Sequence, residues 1–146
     1  MSVTYLFLHK SMRKESEKYQ HNKHSVGMSR VHLAFIPCRR RAVLKGDIAV
    51  RCREIFYEVA LEKKWDLRAL AVEPDHVHLF VGHQPDYSVS QVVKAFKGRS
   101  SRYLRREFPE LLKMPSMWTH SYFYSTAGNV SSETIQKYIN DPHHHN

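Results

Sequence analysis

Polar and apolar residues alternate over Ser29–Pro37, where Val31, Leu33 and Phe35 share one side before a proline stops the run, which is the pattern of a half-buried strand. From Asp47, a candidate N-cap, to Lys64 the spacing changes, and Ile48, Cys52, Ile55, Phe56 and Val59 line one face of a helix. Two short β-rich runs follow, Leu67–Val72 and His76–Val81, separated by Glu73-Pro74-Asp75; they predict a hairpin central in the sheet. Ser88–Phe108 carries Val89, Val92, Val93, Phe96, Tyr103 and Leu104 on one side and predicts a long amphipathic helix. Met117–Thr126, rich in aromatic and β-branched residues, predicts another strand. Ser131 or Ser132 caps a last helix holding Ile135, Tyr138 and Ile139, which Pro142 ends.

The order β-α-β-β-α-β-α contains no internal repeat and no run of βαβ units. It predicts an α+β fold: a ferredoxin-like sandwich with helices on one face of a mainly antiparallel sheet. Residues 9–28 are polar and lack apolar periodicity, so residues 1–28 read as an N-terminal extension and residues 29–146 as one domain.

Composition narrows the partners. Lys and Arg number 23 against 14 Asp and Glu, giving a formal charge of +9, and the isoelectric point is near 9.7. A polyanion is the natural partner, nucleic acid ahead of an anionic membrane surface, because the chain has neither a long apolar run nor a wide greasy helix face. The apolar stretch Val3–Leu8 lacks the flanks of a signal peptide, and Cys38 and Cys52 lack metal or redox spacing. Both read as reduced thiols of a cytoplasmic protein, Cys52 packed in a helix.

Within Pro74-Asp75-His76-Val77-His78-Leu79, residues two apart on a strand point to one face, so His76 and His78 stand together while Val77 turns to the core. The pair admits two readings: donors for a divalent cation, or two ordinary solvent-facing histidines. His32 and His120 read as packing or surface residues, His83 ends a strand near a turn, and His143–His145 resembles a metal tract that a solvated or added tail explains as well. Tyr138 lies on a short helix among polar neighbours, and its residue type alone does not separate a nucleophile from a packing aromatic. Between Gln91 and Arg106 there is no acidic residue, which points to nucleic-acid contact through Lys94, Lys97, Arg99 and Arg102. Trp118, Tyr122, Phe123 and Tyr124 are available either for base stacking or for the core.

Taken in order, Arg30–Pro37, Pro74–Phe80, Val92–Ser101, Met117-Trp118 and Ile135–Ile139 give the chain its family likeness. It resembles the single-tyrosine HUH transposases of the smallest insertion sequences, the insertion sequence 200-like group. The resemblance implies a homodimer whose subunit sheets join, each active site combining the histidine pair of one subunit with the tyrosine helix of the other. It implies that Tyr138 is the nucleophile, that His76 and His78 bind Mg²⁺ or Mn²⁺, and that no nucleotide cofactor is needed. The implied substrate is single-stranded DNA bearing hairpins. The family places a glutamine one helical turn after the tyrosine as third metal ligand, and here Pro142 stands there. Asp141 or His143 then becomes the substitute. The rival expectations are a non-catalytic or degenerate nucleic-acid-binding protein of the same fold, and a phosphodiesterase that uses water.

Overall fold

The computed structural model describes residues 28–142; the N-terminal extension up to residue 27 and the His143–Asn146 tail lie outside the described residues. In chain order the elements are β1 (Ser29–Phe35), α1 (Gly46–Lys63), β2 (Asp66–Glu73), β3 (His76–His83), α2 (Val89–Glu107), β4 (Phe123–Ser125) and α3 (Ser132–Asn140). Short 3-10 turns occupy Cys38–Arg40 and Pro109–Lys113. The strands form a four-stranded sheet in the order β2-β3-β1-β4, with every neighbouring pair antiparallel. Splitting each β-α-β unit with a strand from the other gives this order.

Val31, Leu33 and Phe35 of β1 and Val77, Leu79 and Val81 of β3 point to one face, where α1 and α2 cover them with Ile55, Phe56, Val92 and Phe96. This is the main core. Ala34 and Ile36 have the opposite parity and pack with Ile135 and Ile139 of α3 in a separate cluster. The expectation of helices on one face therefore holds for α1 and α2 and fails for α3. The reason is that β1 is apolar on both sides near its end, and a short helix with an i, i+4 isoleucine pair closes the second side.

The β2–β3 hairpin is as expected, its register running Leu67↔Val81 to Glu73↔His76 so that Pro74-Asp75 alone make the turn; β3 is central and β2 is an edge. Asp47 is not the N-cap of α1, whose cap is Lys45 without a side-chain bond; Asp47 lies in the first turn, where its charge suits the helix dipole. Ser88 caps α2 in a reciprocal box with Gln91. Cys52 is fully buried, and burial pushes its thiol up to about 12.

The expected strand over Met117–Thr126 shrinks to Phe123–Ser125. Met117 and Trp118 instead meet the end of β1: Cys38 N–H donates to the Met117 carbonyl at 2.9 Å, and Thr119 N–H to that of Ile36 at 2.9 Å. Trp118 is buried against Phe35 and Phe56, and its indole N–H donates to Ser100 Oγ at 2.9 Å. The run pairs with β1 at both ends, at Trp118 and at Phe123–Ser125, and leaves the strand between them; of its aromatic residues Trp118 is buried while Tyr124 is exposed, a difference that β propensity does not show.

Candidate active site

The alternation of β3 buries Val77 and leaves His76 and His78 on the face opposite α1 and α2. His78 stands across from Ala34 of β1 in the antiparallel register. It is half-buried, and its Nε2 has no hydrogen-bond partner. Burial first, and then the nearby His32 and His76, lower its pKa from the ordinary histidine value, so the neutral ring is favoured. A neutral imidazole with a lone pair in a half-buried site is what a divalent cation requires. His76 differs: its Nδ1 is 3.0 Å from Asp75 Oδ1, and Arg40 Nε donates to Asp75 Oδ2 at 3.1 Å.

His32 was expected to be a packing or surface residue, and it packs on this same face. Its ring stacks on Phe80 with centroids 4.2 Å apart and lies 5.7 Å from that of His78. Strand parity alone puts His32 outside the main core, but its neighbours follow from the β1–β3 register, which the sequence does not state.

Tyr138 reaches this face on α3, whose N-cap Ser131 accepts the Thr134 N–H at 3.2 Å. Ile135 and Ile139 seat the helix on Ala34 and Ile36, one strand over from His78. Within one chain the tyrosine helix and the histidine pair thus share a face of the sheet. The Tyr138 hydroxyl lies 3.3 Å from Ser121 Oγ, and its ring is 5.9 Å from that of Phe123. Burial foremost, and then the negative Asp141, raise the phenol's pKa, while hydrogen bonds to Ser121 and Thr119 pull it the other way. Unassisted, the side chain is a protonated phenol at neutral pH and a weak nucleophile. Sequence reading missed Ser121 and Thr119, because no periodicity encodes the route the chain takes off the sheet after Trp118.

Asp141 caps the C-terminus of α3, its N–H donating to the Tyr138 carbonyl at 3.2 Å. Among the described residues no three His, Cys, Asp or Glu side chains gather as a metal cluster, so Asp141 does not complete one with His76 and His78. The other named substitute, His143, lies outside the described residues.

The basic helix divides. Lys94 and Arg102 are exposed. Lys97 is half-buried and donates to the carbonyls of Thr119 at 2.7 Å and Ser121 at 2.9 Å, and burial lowers its pKa to about 8. Arg99 pairs with Glu62 of α1, an acidic partner that reading α2 alone could not supply. Between α2 and the following loop runs an open groove of about 440 Å³ whose walls include Lys94, Ser101, Trp118, His120 and Tyr122. No helix among the described residues is long and apolar enough to cross a membrane.

The sheet thus carries a histidine pair and a tyrosine helix on one face and a basic helix on the other. The family described as Transposase IS200 like matches residues 25–142. The chain belongs to the IS200-like transposase family. It is 31% identical over 115 residues to the ISDra2 transposase TnpA of Deinococcus radiodurans, covering 77% of this chain and 82% of that one. It is 29% identical over 113 residues to the transposase of insertion sequence element IS200 from Salmonella typhimurium, covering 74% and 72%. A crystal structure from Deinococcus radiodurans described as a transposase superposes with a TM-score of 0.71 at 34% identity, over 81% of this chain and 93% of that one. A REP-associated tyrosine transposase bound to a REP hairpin gives a TM-score of 0.54 at 13% identity, over 81% and 66%, a likeness of fold alone.

Proposed function

We propose that this IS200-like transposase binds hairpins in single-stranded DNA and cuts and rejoins strands through a covalent 5′-phosphotyrosine at Tyr138. The observation that carries the reading is the approach of α3 to the histidine face, with the Tyr138 hydroxyl held by Ser121. The Tyr138 oxygen attacks phosphorus, an O–P bond forms, and the P–O3′ bond breaks. The phenolic proton is released, and the departing 3′-oxygen takes up a proton to become a hydroxyl. The phosphodiester energy is kept in the tyrosine ester, so a 3′-hydroxyl from another strand can reverse the step without a nucleotide cofactor.

The unpartnered, half-buried Nε2 of His78 fits a divalent metal ion, and His76 and His78 would hold Mg²⁺ or Mn²⁺. Such an ion, when bound, polarises the phosphate and lowers the barrier to attack by a phenol. Among the described residues of one chain Asp141 does not gather with His76 and His78, so in this reading the third ligand arrives with the tyrosine helix of the partner subunit, from the position of Asp141 or of His143. Ser121 and Thr119 orient the phenol, while Lys94 and Arg102 neutralise phosphates of the DNA.

Within one chain α3 lies on the face of its own histidines, and the family resemblance adds a homodimer in which the tyrosine helices are exchanged, each serving the partner's histidines. Mixing Tyr138→Phe protein with His78→Ala protein tests the sharing: restored activity requires exchange between subunits, and inactivity of the mixture means each chain uses its own tyrosine. Incubation with hairpin-bearing single-stranded DNA and Mn²⁺, followed by a denaturing gel, tests the chemistry. A covalent band lost in Tyr138→Phe supports it. Retained DNA without cleavage would instead indicate a binding protein, and cleavage without a covalent band a hydrolase.

A further inference from the structure

We infer that Arg40 and Asp75 are positioning residues for His76, fixing its imidazole in the Nδ1–H form and leaving Nε2 bare to donate to a divalent cation. The inference rests on the metal-dependent reading above and deepens it.

A carboxylate only accepts hydrogen bonds, so the 3.0 Å contact from Asp75 Oδ1 to His76 Nδ1 requires the proton to be on Nδ1. The second oxygen, Oδ2, accepts from Arg40 Nε at 3.1 Å, so each carboxylate oxygen has a separate donor and the group cannot rotate without losing one.

The backbone is arranged around this contact. Asp75 is in the two-residue turn that immediately precedes His76. Arg39 and Arg40 have φ of 57° and 53°, left-handed values that residues with side chains adopt uncommonly. That excursion closes with Arg40 N–H donating to the Pro37 carbonyl at 2.8 Å, and Leu44 N–H ties the segment to the turn through the Pro74 carbonyl at 3.1 Å. An ordinary surface ion pair needs neither the strained turn nor a third member in hydrogen-bond contact. A carboxylate that orients a ligating histidine from behind is the usual way to fix ring tautomer and direction, and its loss typically costs about 10- to 100-fold in metal affinity.

Asp75→Asn is a sharp probe because it keeps the shape. An amide has one accepting oxygen: facing Arg40 with it presents N–H to His76, and facing His76 with it presents N–H to Arg40. In the first orientation His76 can keep its contact only by moving its proton to Nε2 and accepting at Nδ1; in the second the Arg40 contact fails. The test has two arms. Two-bond ¹H–¹⁵N spectra of the metal-free wild type at about pH 8, above the ordinary histidine pKa of about 6.5, should show His76 protonated at Nδ1, and Asp75→Asn should shift the ring toward Nε2–H. Calorimetric titration with Mn²⁺ should show binding weakened about 10-fold in Asp75→Asn and in Arg40→Ala, and lost in His78→Ala. A wild-type His76 protonated at Nε2 overturns the inference, even if the variants fold poorly. So does a wild type that binds Mn²⁺ with an affinity that Asp75→Asn and Arg40→Ala leave unchanged. A wild type that binds no Mn²⁺ overturns the metal reading and the donor role of Nε2 with it, and the spectra then report separately whether Asp75 sets the tautomer.

Discussion

The Tyr138 hydroxyl lies 3.3 Å from Ser121 Oγ, and the carbonyl of the same serine accepts from Lys97 Nζ at 2.9 Å. A lysine rooted in the core helix α2 therefore holds the loop that holds the phenol. Ser121→Ala removes the side-chain contact and leaves the backbone anchor. The rate of covalent adduct formation should fall about fivefold, the equivalent of one hydrogen bond of about 1 kcal/mol, while thermal unfolding stays where it is in the wild type. Adduct time courses on denaturing gels measure the first and melting curves the second.

Lys97 gives a pH signature. Burial lowers its folded pKa to about 8 from the ordinary 10.5, so between those values the unfolded chain binds more protons than the folded one. Stability from this group must then rise with pH across that window. Cys52 works the other way, since its folded thiol is pushed up to about 12. Comparison with Lys97→Met cancels the cysteine and isolates the lysine. The stability of the wild type relative to Lys97→Met should increase from pH 8 to pH 10.5, as read from urea unfolding at each pH.

The division of the basic helix predicts unequal DNA phenotypes. Lys94 and Arg102 are exposed, and each should remove about 0.7 from the salt slope of single-strand binding when changed to alanine, one phosphate apiece. Arg99 is held by Glu62 and should have the smaller effect. Fluorescence anisotropy over a salt series separates them.

Trp118 depends on Ser100, which accepts the indole N–H at 2.9 Å while donating to the Phe96 carbonyl at 2.7 Å. Ser100→Ala orphans a buried donor and should destabilise the fold by about 1–3 kcal/mol, measured by urea unfolding.

Much of this frame was legible in the chain because its signals are local. Val31, Leu33 and Phe35 announce one side of a strand, Pro74-Asp75 announces a turn, and the His76/His78 parity follows from a two-residue repeat. The start of the long helix at Ser88 follows from its apolar spacing, and the Gln91 that completes its cap is seen only in the structure. What periodicity cannot carry is the meeting of distant segments. Arg40 reaches Asp75 across 35 residues of sequence, and Lys97 reaches Ser121 across 24. Lys97 reads as a phosphate contact because its helix neighbours are basic; its bonds to the Thr119 and Ser121 carbonyls are what the helix alone does not show. The Met117–Thr126 run is only partly a strand, Phe123–Ser125, because Trp118 is used to fill the core rather than to extend the pairing. Tyr138 needed the family resemblance, because nothing in a single sequence distinguishes it from the other tyrosines.

The most direct test of the central reading is to locate the covalent bond. Wild-type protein would be incubated with hairpin-bearing single-stranded DNA and Mn²⁺, the adduct digested with nuclease and protease, and the modified peptide sequenced by mass spectrometry. The account predicts a nucleotide phosphate on the peptide containing Tyr138 and on no other. Attachment at another tyrosine, or cleaved DNA with no modified peptide, would contradict it.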